Sequence, residues 1–201
     1  GMIKIWDPAR ISKSPAIFDP LKLRAINAAY IRALPAEEFR KLADPFIDQA
    51  VHVQIDRDLL CANLQPRCEV LEDIPPQLDF FDAVLPIDAE MYRNKKQKTT
   101  PESAKEALSA LLPVLEAQTD WSRDAIFEAC KQKAEAMEKK NGWLLFPLGI
   151  ALSGKQRTPG GGTDLAAMWG KAETVKRVKA ALEKMSVTVS SVVKGRNLLT
   201  R

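Results

Sequence analysis

The stretch "GIALSGKQRTPGGG" at residues 149–162 separates two fold classes, because it matches most of a phosphate-binding loop. Gly149, Gly154 and Lys155 fit the first seven places of G-x-x-x-x-G-K-[ST]. The last place needs a Ser or Thr hydroxyl that holds Mg²⁺, at the start of a helix that faces the phosphates. Gln156 stands there instead, and a proline and three glycines that follow disfavour a helix. The pattern therefore argues against nucleotide hydrolysis and against the parallel sheet that supports it.

Helical periodicity dominates the sequence before this loop. Asp19 and Pro20 provide an N-cap and a first-turn proline, which predicts a helix from that point. Its expected apolar face is Leu23, Ile26, Tyr30 and Leu34. A second helix is expected to bury Phe39, Leu42 and Phe46. A third is predicted in "DRDLLCANLQP" (56–66), and a fourth in "RCEVLEDIPPQLDFF" (67–81), where two prolines must end it.

The second half of the chain follows the polar segment "DAEMYRNKKQKTTPE" (88–102) and is also helical in pattern. Thr100 and Pro101 predict the start of a longer helix. Its expected apolar stripe is Ala104, Leu108, Leu111, Leu112 and Leu115. The next helix is expected to align Ile126, Phe127, Cys130, Ala134 and Met137, and to stop at Asn141 and Gly142.

Two later segments leave the secondary structure open. "WLLFPLGIAL" (143–152) is compatible with a strand or a helix, whereas Val175, Val178 and Leu182 align on a final helix. "SVTVSSVVKGRNLLTR" (186–201) alternates with period two, so it predicts a late strand or an irregular tail. We therefore expect an all-α chain of two helical subdomains, 1–92 and 93–185, with a tail of unknown structure at 186–201.

Composition excludes several classes of protein. The chain has 201 residues, no apolar run long enough for a membrane span, and a net charge of +4 that permits a polyanionic partner without requiring one. Three cysteines and a single histidine, His52, offer too few ligands for a zinc site. We expect a monomeric cytoplasmic protein with reduced, buried thiols and no bound metal.

The glycine-rich loop has a second interpretation as a surface for single-stranded nucleic acid. Lys155 and Arg157 offer charge, Thr158 a hydroxyl, and the glycines at 160–162 offer backbone amides. Phe146, with Trp143, offers an aromatic face upstream. An ordinary solvated loop beside core aromatics fits these residues about as well, so this evidence alone leaves both readings open.

Three stretches in order are similar to the anticodon-binding region of bacterial glutamyl-tRNA synthetases. "ISKSPAIFDPLKLRAINAAYI" (11–31) resembles the family pattern S-K-S-x-x-x-F-D-x-x-K-L-x-W-x-N-x-x-Y-I, although Ala25 replaces the usual Trp. "LLCANLQPRCEVLEDIPPQLDFF" (59–81) resembles the helical stretch that follows in the family. "FPLGIALSGKQRTPGGGTDLAAMWGKAETVKRVKAAL" (146–182) resembles its closing stretch, which usually begins P-L-R-x-A-L-T-G. The resemblance covers about residues 10–184 and implies an all-α fold. It implies that 1–92 is the stem-contact and anticodon-side subdomain and that 93–185 is the C-terminal anticodon-binding subdomain.

The resemblance implies anticodon contacts at particular positions. It assigns Arg67 to the third anticodon nucleotide, since a guanidinium fork can make two donor bonds to a base edge. Its alternative role is an ion pair with Glu69, Glu72 or Asp73. The remaining positions implied to lie at the anticodon are Phe146, Thr158, Pro159, Gly160 and Gly161, with Lys155 and Arg157 as backbone clamps.

Two departures weaken the reading of the first anticodon base. Gly149 stands where the family often has an arginine, and Gly161 where some members have a leucine. The H-I-G-H tetrad of the catalytic half is absent, so ATP and Mg²⁺ are expected only in a catalytic part that this chain lacks. The chain is then either an excised part of a glutamate–tRNA ligase or a short relative. Its expected partners are tRNA and the catalytic half of a synthetase, and the alternative is a helical protein-interaction module.

Overall fold

A computed structural model describes residues 19–196, with the side chains of residues 19–186. Within that range the regular elements are helices, and the only β-type pairing is an isolated bridge between Asn94 and Thr99. The α-helices are α1 (Pro20–Ala33), α2 (Ala36–Ile47), α3 (Arg57–Leu64), α4 (Pro101–Ala117), α5 (Arg123–Ala136), α6 (Asn141–Ser153), α7 (Gly162–Trp169) and α8 (Lys171–Arg196). The predicted all-α fold class is confirmed. No helix of residues 19–196 has the length and apolarity needed to cross a lipid bilayer.

The first helix begins as predicted but buries a different face. Asp19 caps α1 by accepting hydrogen bonds from two backbone amides of its first turn. Ala28 and Ile31 are the buried residues of α1. The predicted apolar face through Leu23, Ile26 and Tyr30 is exposed rather than buried, and Tyr30 is 72% accessible. Periodicity identifies an apolar face, but it does not say whether a partner covers that face.

The second helix is confirmed in part. Phe39 is fully buried, as are Ala43 and Ile47 one and two turns further along α2. Leu42 is 47% exposed and Phe46 only half-buried, so the expected burial of Leu42 is wrong.

The predicted fourth helix at 67–81 is wrong. The chain forms three separate 3₁₀ turns instead, at Gln65–Arg67, Leu71–Asp73 and Pro75–Gln77. Prolines explain the difference, since each lacks a backbone N–H and disfavours helical dihedrals in the residue before it. The segment still contributes to the core, where Ile74, Leu78, Phe80 and Phe81 are fully buried.

Helices α4 and α5 follow the sequence prediction closely. Thr100 and Ser103 form a reciprocal capping box at the start of α4, and the buried stripe includes Ala104, Leu108, Leu111 and Leu115. On α5, Ile126, Cys130 and Ala134 are buried. The expected stop is wrong, because α5 ends at Ala136 and Asn141 begins the next helix.

Helix α6 resolves the ambiguous apolar segment and lies at the centre of the second half. It packs against α4, α5, α7 and α8, so nearly every face of it is covered. A short run that is apolar on all sides suits a buried helix as well as a strand, which is why periodicity left the choice open.

Helix α8 is longer than the sequence suggested. It starts at Lys171, buries Val178 and continues to Arg196. The expectation of a strand or an irregular tail is therefore wrong for residues 186–196, while residues 197–201 lie outside the described range. A lone β-strand here would have no neighbouring strand, within residues 19–196, to accept its hydrogen bonds.

One continuous hydrophobic core joins the two halves, from Ile31 on α1 to Ala181 on α8. Arg177 of α8 lies inside it, and its guanidinium donates hydrogen bonds to the carbonyls of Phe80 (3.0 Å), Leu152 (2.8 Å) and Phe81 (2.6 Å). Its Nε also donates to the Glu173 carboxylate at 2.8 Å. Arg177 thus links α8 to α6 and to the segment that follows the 3₁₀ turns. The subdomain boundaries at 92/93 and 185/186 stay predictions.

Candidate nucleic-acid interface

The glycine-rich loop spans residues 154–161 and connects two packed helices. Helix α6 ends at Gly154, whose φ of +74° is left-handed. The amide of Lys155 donates to Ser153 Oγ at 3.0 Å, and that hydroxyl donates back to the Gly149 carbonyl at 2.7 Å. A phosphate-binding loop would follow a strand and start a helix at its lysine. This loop does neither, which agrees with the sequence-based argument against a phosphate-binding loop.

The far end of the loop is held by α3 and α7. Thr158 Oγ1 donates to the Gly160 carbonyl at 2.8 Å, and the Gly161 amide donates to Asp164 Oδ2 at 2.7 Å. Gly160 has a φ of +95°, and a Cβ there would lie 3.0 Å from Asn63 Oδ1 on α3. Only glycine fits this close approach without strain. The loop is therefore a shaped surface, and the Gly161 amide is already occupied within the protein.

Arg67 lies against this loop, although the two are far apart in sequence. Its Nη1 donates to the Thr158 carbonyl at 3.4 Å. Arg67 forms none of the three alternative ion pairs, with Glu69, Glu72 or Asp73; Arg24 of α1 bonds the carboxylates of Glu69 (3.0 Å) and Asp73 instead. Within residues 19–196, the exposed Arg67 guanidinium has no carboxylate partner. Its remaining donors face solvent beside the loop.

Arg157 is a second arginine at the loop that has no carboxylate partner among the described residues. It is exposed in the middle of the loop. It borders an open cleft of about 600 Å³ whose other lining residues are Asp88, Glu90, Met91, Gly154, Lys155 and Gln156. Gln156 Nε2 donates to the Met91 carbonyl at 2.8 Å and so holds one wall of the cleft to the loop.

Lys155 has a different environment from Arg157. Its ammonium pairs with the Asp79 carboxylate, donates to the Pro76 carbonyl at 3.3 Å, and lies 5.7 Å from the centre of the Phe80 ring. These contacts fasten the loop to the segment after the 3₁₀ turns. The role of Lys155 as a backbone clamp stays a prediction.

The two aromatic residues upstream are packed rather than free. Phe146 is half-buried on α6 and packs against the core. Trp143 is buried, and Lys139 Nζ lies 5.4 Å from the centre of its ring. The prediction that Trp143 offers an accessible stacking face is wrong. A base contact at Phe146 stays a prediction.

Gly149, which replaces the family's arginine, lies where α6 crosses α7. A Cβ on Gly162 of α7 would approach the Leu145 carbonyl oxygen to 2.7 Å and the Gly149 amide nitrogen to 3.0 Å. A Cβ on Gly149 would meet its nearest atom, the Gly162 nitrogen, at an ordinary 3.8 Å. The crossing therefore requires glycine at 162 but leaves space for a Cβ at 149.

The anticodon binding domain family matches residues 28–182 of the chain. The chain belongs to this family. The domain is 41% identical over 184 residues to the glutamate–tRNA ligase of Clostridium botulinum strain Hall, and 40% identical over 185 residues to that of Clostridium acetobutylicum. Each match covers 92% of this chain, and the chain spans only 38% of the length of those relatives.

Solved structures confirm the fold of the anticodon binding domain. The glutamate tRNA ligase of Elizabethkingia meningosepticum superposes with a TM-score of 0.72 at 24% identity, over 92% of this chain and 36% of that one. The glutamate–tRNA synthetase of Elizabethkingia anophelis gives 0.68 at 22% identity, over 90% and 35%. The family match and the 41% identity to a glutamate–tRNA ligase confirm the family resemblance carried by the three sequence stretches.

Sequence reasoning missed the residues of the domain that support the loop. Arg24 bonds Glu69 and Asp73, two of the three carboxylates proposed as partners of Arg67, and the Asn63 side chain packs against Gly160. Arg123 bonds Asp164, the carboxylate that caps the loop's end, at 2.9 Å. No local sequence pattern announces such pairs, because the partners lie on different helices.

Proposed function

We propose that this domain binds the anticodon stem and loop of a glutamate-type tRNA, as the RNA-recognition part of a glutamyl-tRNA synthetase or of a short relative. The observation that carries the proposal is the placement of Arg67 beside the 154–161 loop with its remaining donors free. A guanidinium fork can bond two acceptors on the edge of an unstacked base. The family membership and the relatives' names support tRNA as the ligand.

The proposed complex combines base reading with backbone attraction. Arg67 discriminates a base, while Arg157 attracts phosphate at the rim of the cleft, because phosphate contacts position a nucleic acid without reading its sequence. Affinity then falls as salt rises, since bound cations replace the counterions of the RNA. In this proposal Arg67 sets the selectivity for the anticodon and Arg157 adds binding affinity.

The same proposal assigns the chemistry elsewhere. ATP and Mg²⁺ act in the catalytic part of such a synthetase, and the domain positions tRNA for that part as a cytoplasmic monomer. The chain's match to 38% of its relatives' length supports this division of labour. In the second candidate function the chain is a protein-interaction module that does not bind tRNA. The exposed apolar side chains of Leu21, Leu23, Ile26 and Tyr30 on α1 favour that reading.

A titration with a glutamate tRNA transcript and an anticodon-swapped transcript, at two salt concentrations, tests the proposal. The unmodified protein is expected to prefer the matched anticodon. Arg67→Ala is expected to weaken binding of the matched transcript roughly tenfold to a hundredfold, the cost of losing a two-donor base contact.

Arg67→Lys is the matched control, because it keeps the charge and removes the planar fork. It is expected to lose the preference between transcripts while retaining most of the affinity. Equal, weak binding of both transcripts by the unmodified protein would contradict the proposal. The protein-interaction module would then be the better reading.

A further inference from the structure

A group of lysines lies at the end of α6 opposite the glycine-rich loop. Three of them, Lys95, Lys96 and Lys98, lie on a turn closed by the Asn94–Thr99 bridge, whose N···O distances are 3.0 and 3.1 Å. The other two, Lys139 and Lys140, immediately precede α6. All five are exposed. We call Lys95, Lys96, Lys98, Lys139 and Lys140 the lysine patch.

A close contact holds the two parts of the lysine patch together. The side chain of Gln97 lies directly over Gly142 in the first turn of α6, where a Cβ would come within 1.7 Å of Gln97 Oε1. Lys139 covers the Trp143 ring from the same end of α6. The two lysine segments, some forty residues apart in sequence, therefore form one surface.

The charge of the lysine patch is not compensated by ion pairs. None of its five ammonium groups has a carboxylate within ion-pair distance among the described residues, whereas Lys155, Lys176 and Lys179 each have one. Glu90, just ahead of the turn, is taken by Arg93. Glu138 precedes Lys139 in sequence without pairing with any patch lysine. Clustered unpaired cations repel one another and attract a polyanion.

The lysine patch and the glycine-rich loop lie at opposite ends of the same helix, α6. Helix α6 has 13 residues, so its two ends lie about 20 Å apart. Residues 88–99 run alongside it, since Gln156 bonds Met91 near the loop and Gln97 covers Gly142 at the other end. An RNA that engages both surfaces would lie along this side of the domain.

We propose that the lysine patch binds the sugar–phosphate backbone of the double-stranded stem of the RNA whose loop is read at Arg67. This inference rests on the proposed function. A stem begins where an unpaired loop ends, so its phosphates extend away from the glycine-rich loop. Double-stranded RNA is recognised chiefly through its phosphates and 2′-hydroxyls. The long side chains of lysines can reach such phosphates, and no group that reads a base is needed.

The test compares two triple variants of the full chain with an anticodon stem-loop RNA. Lys95→Gln, Lys96→Gln and Lys140→Gln together remove three patch charges but spare Lys139, which covers Trp143, and Lys98, whose φ is +55°. This variant is expected to bind roughly tenfold more weakly, with a salt slope lower by about 2 to 3. The ratio between matched and swapped anticodons stays unchanged.

The matched control removes the same charge elsewhere, through Lys41→Gln, Lys176→Gln and Lys179→Gln. It is expected to retain the slope and nearly all of the affinity, and circular dichroism checks that both variants remain folded. Equal losses in the two variants would overturn the inference, because total charge would then explain them. So would an equal loss with an unpaired loop oligonucleotide, which has no stem. Failure of the unmodified protein to bind any RNA would instead reject the proposed function itself.

Discussion

Arg177 is a charged residue enclosed by a hydrophobic core, with 4% of its side chain accessible. Its hydrogen bonds satisfy carbonyls that the turns after the 3₁₀ segments leave without helical partners, and its guanidinium stacks 4.0 Å above the Trp169 ring. Burial pushes the pKa of Glu173 up, but the bonds from Arg177 and Lys176 outweigh it and lower that pKa overall. The Glu173 carboxylate is therefore held ionised beside the Arg177 guanidinium.

Replacing Arg177 with Met is expected to destabilise the fold by about 3–5 kcal/mol, because three buried carbonyls would lose their donor. Urea unfolding followed by circular dichroism measures the change. Lys176→Met is the matched control on the same turn of α8. Lys176 also bonds Glu173 but is 76% exposed, so its loss should cost under about 0.5 kcal/mol. Similar costs for the two variants would show that the buried network contributes little.

Arg67 shows what one residue's sequence context can and cannot predict. The family resemblance assigned it to an anticodon base, and local acidic neighbours offered an ion pair instead. In the structure none of these neighbours pairs with Arg67, and Glu69 and Asp73 bind Arg24, which is 45 positions from Glu69 in sequence. Long-range competition of this kind is invisible to spacing rules, since it depends on which helix packs beside the turn.

At the level of helices, periodicity was sufficient where one face is buried and the ends carry caps. Helix α4 combines both signals and agrees with its prediction in start and in stripe. The approach failed at 67–81, where prolines convert an apolar pattern into 3₁₀ turns, and at 186–196, where alternating Val and Ser occur in a helix. Hydrophobic spacing alone ignores that proline restricts the backbone, which decides 67–81. It also ignores that a β-strand needs a neighbouring strand, which decides 186–196.

At the crossing of α6 and α7, replacing a glycine with alanine is expected to have opposite effects on stability at Gly149 and at Gly162. Gly149→Ala is expected to stabilise the fold by about 0.5–1 kcal/mol, since alanine favours a helix interior and its Cβ meets only ordinary contacts. Gly162→Ala is expected to destabilise it by about 1–3 kcal/mol, because its Cβ would press on the Leu145 carbonyl.

Thermal or urea unfolding of the two single variants checks the signs. Each variant serves as the control for the other, because the chemical change is identical and only the side of the crossing differs. A loss of stability at Gly149 as large as that at Gly162 would mean that the helices cannot accept a side chain on either face.

The interface joins parts of the molecule that the sequence divides. Asn63 and Arg67 come from the first half, and the loop that they contact comes from the second. A backbone bond from Asp56 to Met168, at 2.9 Å, ties α3 to the end of α7. The continuous core predicts that the halves fold as one unit, so that the proposed RNA-binding surface forms only when both are assembled.

The three cysteines can report whether the halves unfold together. Cys61 and Cys68 lie in the first half and Cys130 in the second, and all are buried. Burial raises the pKa of Cys130 to about 12 and that of Cys61 to about 11, with nearby Asp44 adding to the latter. A thiol alkylates as its thiolate, so each is expected to react slowly at pH 8 in the native protein.

Pulsed alkylation across a urea series, with each cysteine-containing peptide quantified by mass spectrometry, follows the sites separately without mutating them. A single cooperative core predicts one shared midpoint for Cys61, Cys68 and Cys130, coincident with the loss of helical circular dichroism. Earlier labelling of Cys130 alone, or of the other two alone, would show two units that unfold independently. In that case Arg177 and the Asp56–Met168 bond would be contacts at a boundary between domains rather than parts of one core.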